Sequence, residues 1–108
     1  MSKMSLTVAE RINFPLMFSE RSNMVSMTLQ KAISEKVVFS KEDIEKYDLK
    51  FDEKLRQYTW DISKEDSVEI ELSSKEVVYL QEQVKRIDTA NEVTRFTFSI
   101  CEKINALE

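Results

Sequence analysis

A chain of 108 residues that contains no glycine is barred from several large groups of folds. The Walker phosphate loop, the dinucleotide fingerprint and the nucleophile elbow each need a backbone that turns sharply, or that lets a phosphate approach, where a Cβ would collide. Histidine is also absent, and there is one proline and one cysteine. Without histidine the commonest general base near neutral pH and the usual zinc or iron ligand are gone, and a lone thiol makes neither an intramolecular disulfide nor a four-cysteine metal site. These absences point away from an autonomous enzyme.

The remaining composition is that of a folded domain. The chain is 42% apolar and 33% charged, and one body of this length buries roughly two-thirds of the surface its unfolded chain exposes. A single domain over residues 1–108 is expected. Sixteen basic against twenty acidic side chains give a net charge of −4. No run approaches the ~20 apolar residues of a membrane span, and Met1-Ser2-Lys3-Met4-Ser5 lacks the apolar stretch of a secretory signal, so a cytoplasmic location is expected. The single Cys101 agrees with a reducing compartment. No internal repeat and no low-complexity tract stand out.

Capping signals organise the chain. Thr7-Val8-Ala9-Glu10 has the form of a capping box and should open a helix with Val8, Ile12 and Leu16 on one stripe. Pro15 lacks a donor and its ring collides with the carbonyl of Arg11, so that helix kinks or stops near Phe14. Ser19 to Asn23 reads as a loop, after which Val25, Leu29, Ala32, Ile33 and Val37 recur at helical spacing. Ser40-Lys41-Glu42-Asp43 starts a short helix to about Tyr47. Leu49 and Phe51 alternate with polar residues, Asp52 to Lys54 can turn, and Gln57 to Trp60 is rich in strand formers, which predicts a hairpin.

Val68-Glu69-Ile70-Glu71-Leu72 alternates strictly, as a strand with one wet face does, and completes an expected three-stranded antiparallel meander. Ser73-Ser74-Lys75-Glu76 is a further capping box, opening a helix with a Val77, Leu80, Val84 and Ile87 stripe, an expected Glu82–Arg86 pair, and an end near Asp88. Thr89-Ala90-Asn91-Glu92 reads as the start of a last helix carrying Val93, Phe96, Ile100, Ile104 and Leu107. The predicted class is α+β: a mostly helical single domain of about five helices with a small three-stranded meander.

Candidate chemistry is sparse. Asp61, Glu65, Asp66, Glu69 and Glu71 are dense enough to raise a calcium loop, but the sixth position of such a loop needs glycine and is Asp66, while the twelfth needs a bidentate Glu and is Leu72. They read instead as a solvated loop and a wet strand face, where acidic residues also discourage sheet-to-sheet pairing. No serine has a lysine three residues later, so a serine–lysine pair is absent. Cys101 follows the apolar position Ile100 and reads as a buried small hydrophobe. Phe51, Tyr58 and Trp60 read as core aromatics beneath helices. Catalytic residues, cofactors and metal ligands are therefore expected to be none.

Two binding surfaces remain. Met17, Met24 and Met27 flank the loop between the first two helices, and flexible, polarizable methionines can form an adaptable partner surface. An acidic face built from Asp61, Glu65, Asp66, Glu69 and Glu71 can compete for a basic groove. As the alternative, Lys85, Arg86, Arg95 and Lys103 on the last two helices could track phosphates, although acidic residues are interleaved among them and the chain as a whole is acidic.

Leu6-Thr7-Val8-Ala9-Glu10-Arg11, Phe39-Ser40-Lys41-Glu42, Thr59-Trp60 and the acidic strand Val68 to Leu72, taken in this order with the two last helices, resemble a group of small, mostly uncharacterised proteins encoded by bacteriophages and prophages. Members of that group carry a Gly or Pro-Glu-Gly type turn after the first helix, where this chain has Phe18-Ser19-Glu20-Arg21-Ser22. The resemblance implies a mobile-element accessory protein and brings no catalytic residue with it. The expected function is thus a non-enzymatic, acidic protein-interaction module that modulates a host protein of unidentified nature. Nucleic acid is the alternative partner, no membrane is involved, and self-association is left open.

Overall fold

The fold is known from a computed structural model that describes residues 2–64 and 66–107. Strand β1 (Ser2–Thr7) runs directly into helix α1 (Val8–Asn13), and a 3-10 turn follows at Phe14–Met17. Helices α2 (Met24–Val37) and α3 (Lys41–Tyr47) lead to a hairpin of β2 (Lys50–Asp52) and β3 (Gln57–Thr59). After a 3-10 turn at Ile62–Lys64 come strand β4 (Ser67–Leu72), helix α4 (Ser74–Thr89) and helix α5 (Phe98–Asn105). The class is α+β, with five α-helices among the described residues.

The expected meander is replaced by two separate antiparallel ribbons. β4 pairs with β1, from Ser2 opposite Leu72 to Thr7 opposite Ser67, and among the described residues the hairpin strands β2 and β3 pair only with each other. Met4, Leu6, Ile70 and Leu72 face inward from the first ribbon, onto Val77, Leu80, Val84 and Ile87 of α4, Ile33 and Val37 of α2, and Ile100 and Ile104 of α5. Full burial of a side chain such as Leu6 contributes roughly 1.5–3 kcal/mol. Along α2 the helical spacing overstates the buried stripe: Ile33 and Val37 are core and Leu29 is half-buried, while Val25 faces solvent. In the first stripe Val8 is buried but Leu16, beyond Pro15, is exposed.

The last helix begins later than its capping signal implies. Asn91 adopts a left-handed φ of 57°, its N–H donates to Asp88 O, and the Glu92 N–H donates to Ile87 O. That pair of bonds is a Schellman closure of α4, so the Thr89-to-Glu92 segment ends one helix rather than starting another. Val93 and Phe96 therefore precede α5, and Phe96 is exposed.

A repeat too faint to see as sequence similarity emerges in the strands. Met4-x-Leu6-Thr7-x-x-Glu10 and Ile70-x-Leu72-Ser73-x-x-Glu76 each form a strand that ends in a reciprocal capping box. The equivalent residues Met4 and Ile70 stand opposite each other, as a local twofold axis through that pair requires. Each unit is braced alike. Lys103 of α5 donates to Glu10 and to the Ser5 carbonyl, and Lys36 of α2 donates to Glu76 and to the Glu71 carbonyl. An ammonium thus covers a main-chain carbonyl on each strand of the ribbon, a device that discourages strand addition.

Candidate partner-binding site

Arg11 is the polar residue that organises a groove among α1, α2 and α3. The α1 capping box sets the phase of the first turns, and this places Arg11, only 6% exposed, against the end of α2. There its Nε donates to Val37 O at 3.0 Å and its Nη2 to Val38 O at 2.9 Å. The last carbonyls of a helix have no partner inside it, so the guanidinium fork replaces the turn that Val38 ends by becoming extended. Nη2 also meets Asp43 Oδ2 at 3.0 Å, and the same carboxylate accepts the Ser40 N–H in the α3 capping box. Burial opposes ionisation of Asp43, but the Ser40 N–H and the guanidinium outweigh it and hold its carboxyl below the usual range. The Phe39 ring lies over the guanidinium, 4.1 Å from its carbon to the ring centroid.

These bonds hold α1, α2 and α3 around a groove of about 340 Å³ lined by Ile12, Pro15, Phe18, Val38, Ile44 and Tyr58 among others. That size and an apolar lining with few polar groups are the usual properties of a binding cleft. Its rim is apolar and wet: Val38, Ile44 and Tyr58 are 65%, 44% and 47% exposed, and Phe51 packs edge-on against Tyr58 at 5.1 Å. Phe51 and Tyr58 are therefore surface residues, not the core aromatics their strands suggested, whereas Trp60 is half-buried. Arg11 Nη1 has no acceptor among the described residues.

The sequence-derived candidates fall elsewhere and are dispersed. Met17 is fully buried in the core and its sulfur accepts the Cys101 thiol at 4.0 Å, so only Met24, which is exposed, and Met27, which is half-buried, reach the surface. Asp61 accepts the Ser63 N–H and hydroxyl, which lower its pKa; Asp66 accepts the Ser67 N–H and pairs with Lys46, with the same effect. Glu69 and Glu71 share the wet ribbon face with Lys3, at 3.7 and 4.0 Å. Glu65 lies outside the described residues. Of the basic set, Lys103 is committed to Glu10 and Ser5, Arg86 donates to Gln83 at 3.0 Å in place of the expected Glu82, and Arg95 lies over Phe96. Lys85 is exposed.

The Cys101 thiol is buried and its pKa is raised by that burial and by Asp88. Among the described residues no group of three or more His, Cys, Asp or Glu is placed to hold a metal ion, and no helix is long and apolar enough to cross a membrane. Comparison with family models, with curated proteins and with solved structures finds no match for the chain.

Arg11 was missed in the sequence because a single arginine one turn into an amphipathic helix carries no mark of burial. The nearest signal is the pair of helix ends it serves, a β-branched Val37-Val38 stop followed at once by the Ser40 cap.

Proposed function

We propose that this chain is a non-enzymatic protein-interaction module of the cytoplasm, of the accessory kind that phages and prophages encode, and that it docks a protein partner on the α3–hairpin face. One observation carries the reading. Six of the twelve large apolar side chains exposed among the described residues, Val38, Ile44, Phe51, Leu55, Tyr58 and Ile62, fall within one stretch of 25 residues, and three of them rim the Arg11 groove. Soluble domains seldom leave apolar surface gathered in this way unless another molecule covers it. Of the acidic residues, Asp61 and Asp66 lie beside α3 and are left to rim steering, while Glu69 and Glu71, on the β1–β4 ribbon, are left to solubility.

The test is affinity capture with the tagged protein from a bacterial lysate, with and without nuclease, repeated with two surface variants. Val38→Glu with Tyr58→Glu places charge on the groove rim and should abolish capture of the partner. Reversing Lys85, Arg86 and Arg95 should leave it unchanged. Capture that survives the rim substitutions overturns the docking face, and capture lost on nuclease treatment favours the nucleic-acid alternative.

A further inference from the structure

The groove has a chemistry more specific than an apolar cleft. Arg11 presents five N–H donors; Nε and Nη2 are taken by Val37 O, Val38 O and Asp43, whereas Nη1 is buried without an acceptor. Native structures leave few buried donors in this condition, and a charged donor is the costliest kind to strand. The natural complement is an oxygen brought in by whatever fills the groove.

The charge around Arg11 decides which oxygen. Asp43 already matches the guanidinium at 3.0 Å, so the site is close to neutral. A second carboxylate on Nη1 would stand a few ångströms from Asp43 and be repelled by it, whereas a neutral carbonyl would not. The apolar rim decides the size. A ligand filling about 340 Å³ would touch Val38, Ile44 and Tyr58 but leave Phe51, packed beside Tyr58, wet, while a polypeptide covers the groove and the neighbouring hairpin together. We propose that the groove takes an apolar side chain of the partner together with a neighbouring peptide carbonyl, which accepts from Arg11 Nη1. This rests on the docking face proposed above and names what that face recognises.

Entry requires one movement. Water does not reach Nη1, and the Phe39 ring stacks on the guanidinium from the short linker between the end of α2 and the Ser40 cap. That half-buried ring turns aside as the carbonyl arrives.

The experiment is an amide NMR titration of the full chain with two small probes sharing one apolar side chain: N-acetylphenylalanine methylamide, which is neutral, and N-acetylphenylalanine, which ends in a carboxylate. The neutral probe should shift the amides of Ile12, Val38, Phe39 and Ile44 and bind about three-fold or more tightly than the carboxylate, the ratio expected of a partly exposed charge pair. Val38→Glu should remove binding of both. Asp43→Asn keeps an acceptor for Nη2 but removes the matching charge, so it should cancel or reverse the preference, which a merely structural role for Asp43 would not do. Equal or tighter binding of the carboxylate to the unaltered chain, a preference unchanged in Asp43→Asn, or shifts confined to other surfaces would overturn the proposal. Probes that fail while the rim substitutions still abolish partner capture would overturn the carbonyl assignment alone and leave the docking face standing.

Discussion

The two lysine braces set up a quantitative test of what holds the ribbon. In Lys103→Met the side chain keeps most of its length but loses its bonds to Glu10 and to Ser5 O. Glu10, only 8% exposed along its side chain, then keeps the Thr7 N–H but loses its counter-charge. A hydrogen bond to a charged group contributes roughly 1.5–3 kcal/mol, and the 35% exposure of the lysine side chain discounts it, so the expected cost at pH 7 is about 2 kcal/mol. For a domain of this size that lowers Tm by about 8–10 °C. The pH dependence is the sharper half of the test. In the native chain burial pushes the Glu10 pKa up, but Lys103, the Thr7 N–H and Ser99 outweigh it and hold it below 4.5. Glu10 therefore contributes stability that is present above its unfolded pKa and is lost as pH falls through the lowered folded value. In the variant burial acts with less opposition, the folded pKa rises, and this contribution shrinks or changes sign. The gap between the two proteins should thus be near its full size at pH 7 and smaller at pH 3, as protonation of Glu10 proceeds, with the Lys103 bond to Ser5 O left as the part that does not vary with pH. Urea unfolding followed by far-UV circular dichroism at both pH values measures it. A gap below about 0.5 kcal/mol at pH 7, the size of an ordinary exposed pair, or a gap that does not change with pH would refute the reasoning. Lys36→Met, which strips Glu76 and Glu71 O in the same way, should behave alike, and since the two braces share no partner the double variant should be additive.

Three further outcomes are expected. Arg56, exposed and left-handed at φ 52° in a chain without glycine, should accept Arg56→Gly with a gain of about 0.5–1 kcal/mol in urea unfolding, because relief of the Cβ clash exceeds the added freedom of the unfolded chain. Cys101 should resist a water-soluble thiol reagent in the native state at pH 8 and react at once in urea, since burial and Asp88 raise its pKa; rapid native labelling would contradict its placement beside Met17. Amide hydrogen exchange should be slowest in α4 and the β1–β4 ribbon and markedly faster in β2 and β3, whose described side chains are exposed apart from a half-buried Asp52.

What could be read from the sequence was local. Thr7–Glu10, Ser40–Asp43 and Ser73–Glu76 close as capping boxes at the positions their spacing implies, because each needs only a hydroxyl and a carboxylate three residues apart. Pro15 ends α1 by its missing donor, and a 3-10 turn carries the chain on. The errors came where a distant partner decides. The alternation in Val68 to Leu72 reveals a strand but not its neighbour, and that neighbour is Ser2–Thr7, at least 60 residues away, whose two apolar residues, Met4 and Leu6, are too few to mark a strand alone. The Thr89-to-Glu92 segment satisfies the pattern of a cap, yet the carbonyls at the end of α4 compete for the same N–H groups and win. The candidate site was the least legible part. Arg11 is buried by the end of α2, 26 residues on, and the methionine cluster divides because Met17 falls on the core side of the 3-10 turn.

The division between the scaffold and the proposed docking face has a physical origin in where the core is spent. The two strand–cap–helix units and the helices that brace them supply the continuous core; between residues 38 and 64 Tyr47 is the only large side chain that is fully buried. That intervening segment is attached by specific polar bonds, Arg11 to Val38 O and Asp43 and Lys46 to Asp66, and is closed on itself by the Asp61 N–H to Tyr47 O at 2.8 Å. A segment fixed in this way keeps its apolar side chains at the surface, Val38, Ile44, Phe51, Leu55, Tyr58 and Ile62 among them. The buried guanidinium has the same logic. As a contributor to stability, an ion pair taken out of water is at best even with an apolar replacement, so its presence is better accounted for by the specific geometry it imposes on three helix ends and by the donor it leaves facing no acceptor.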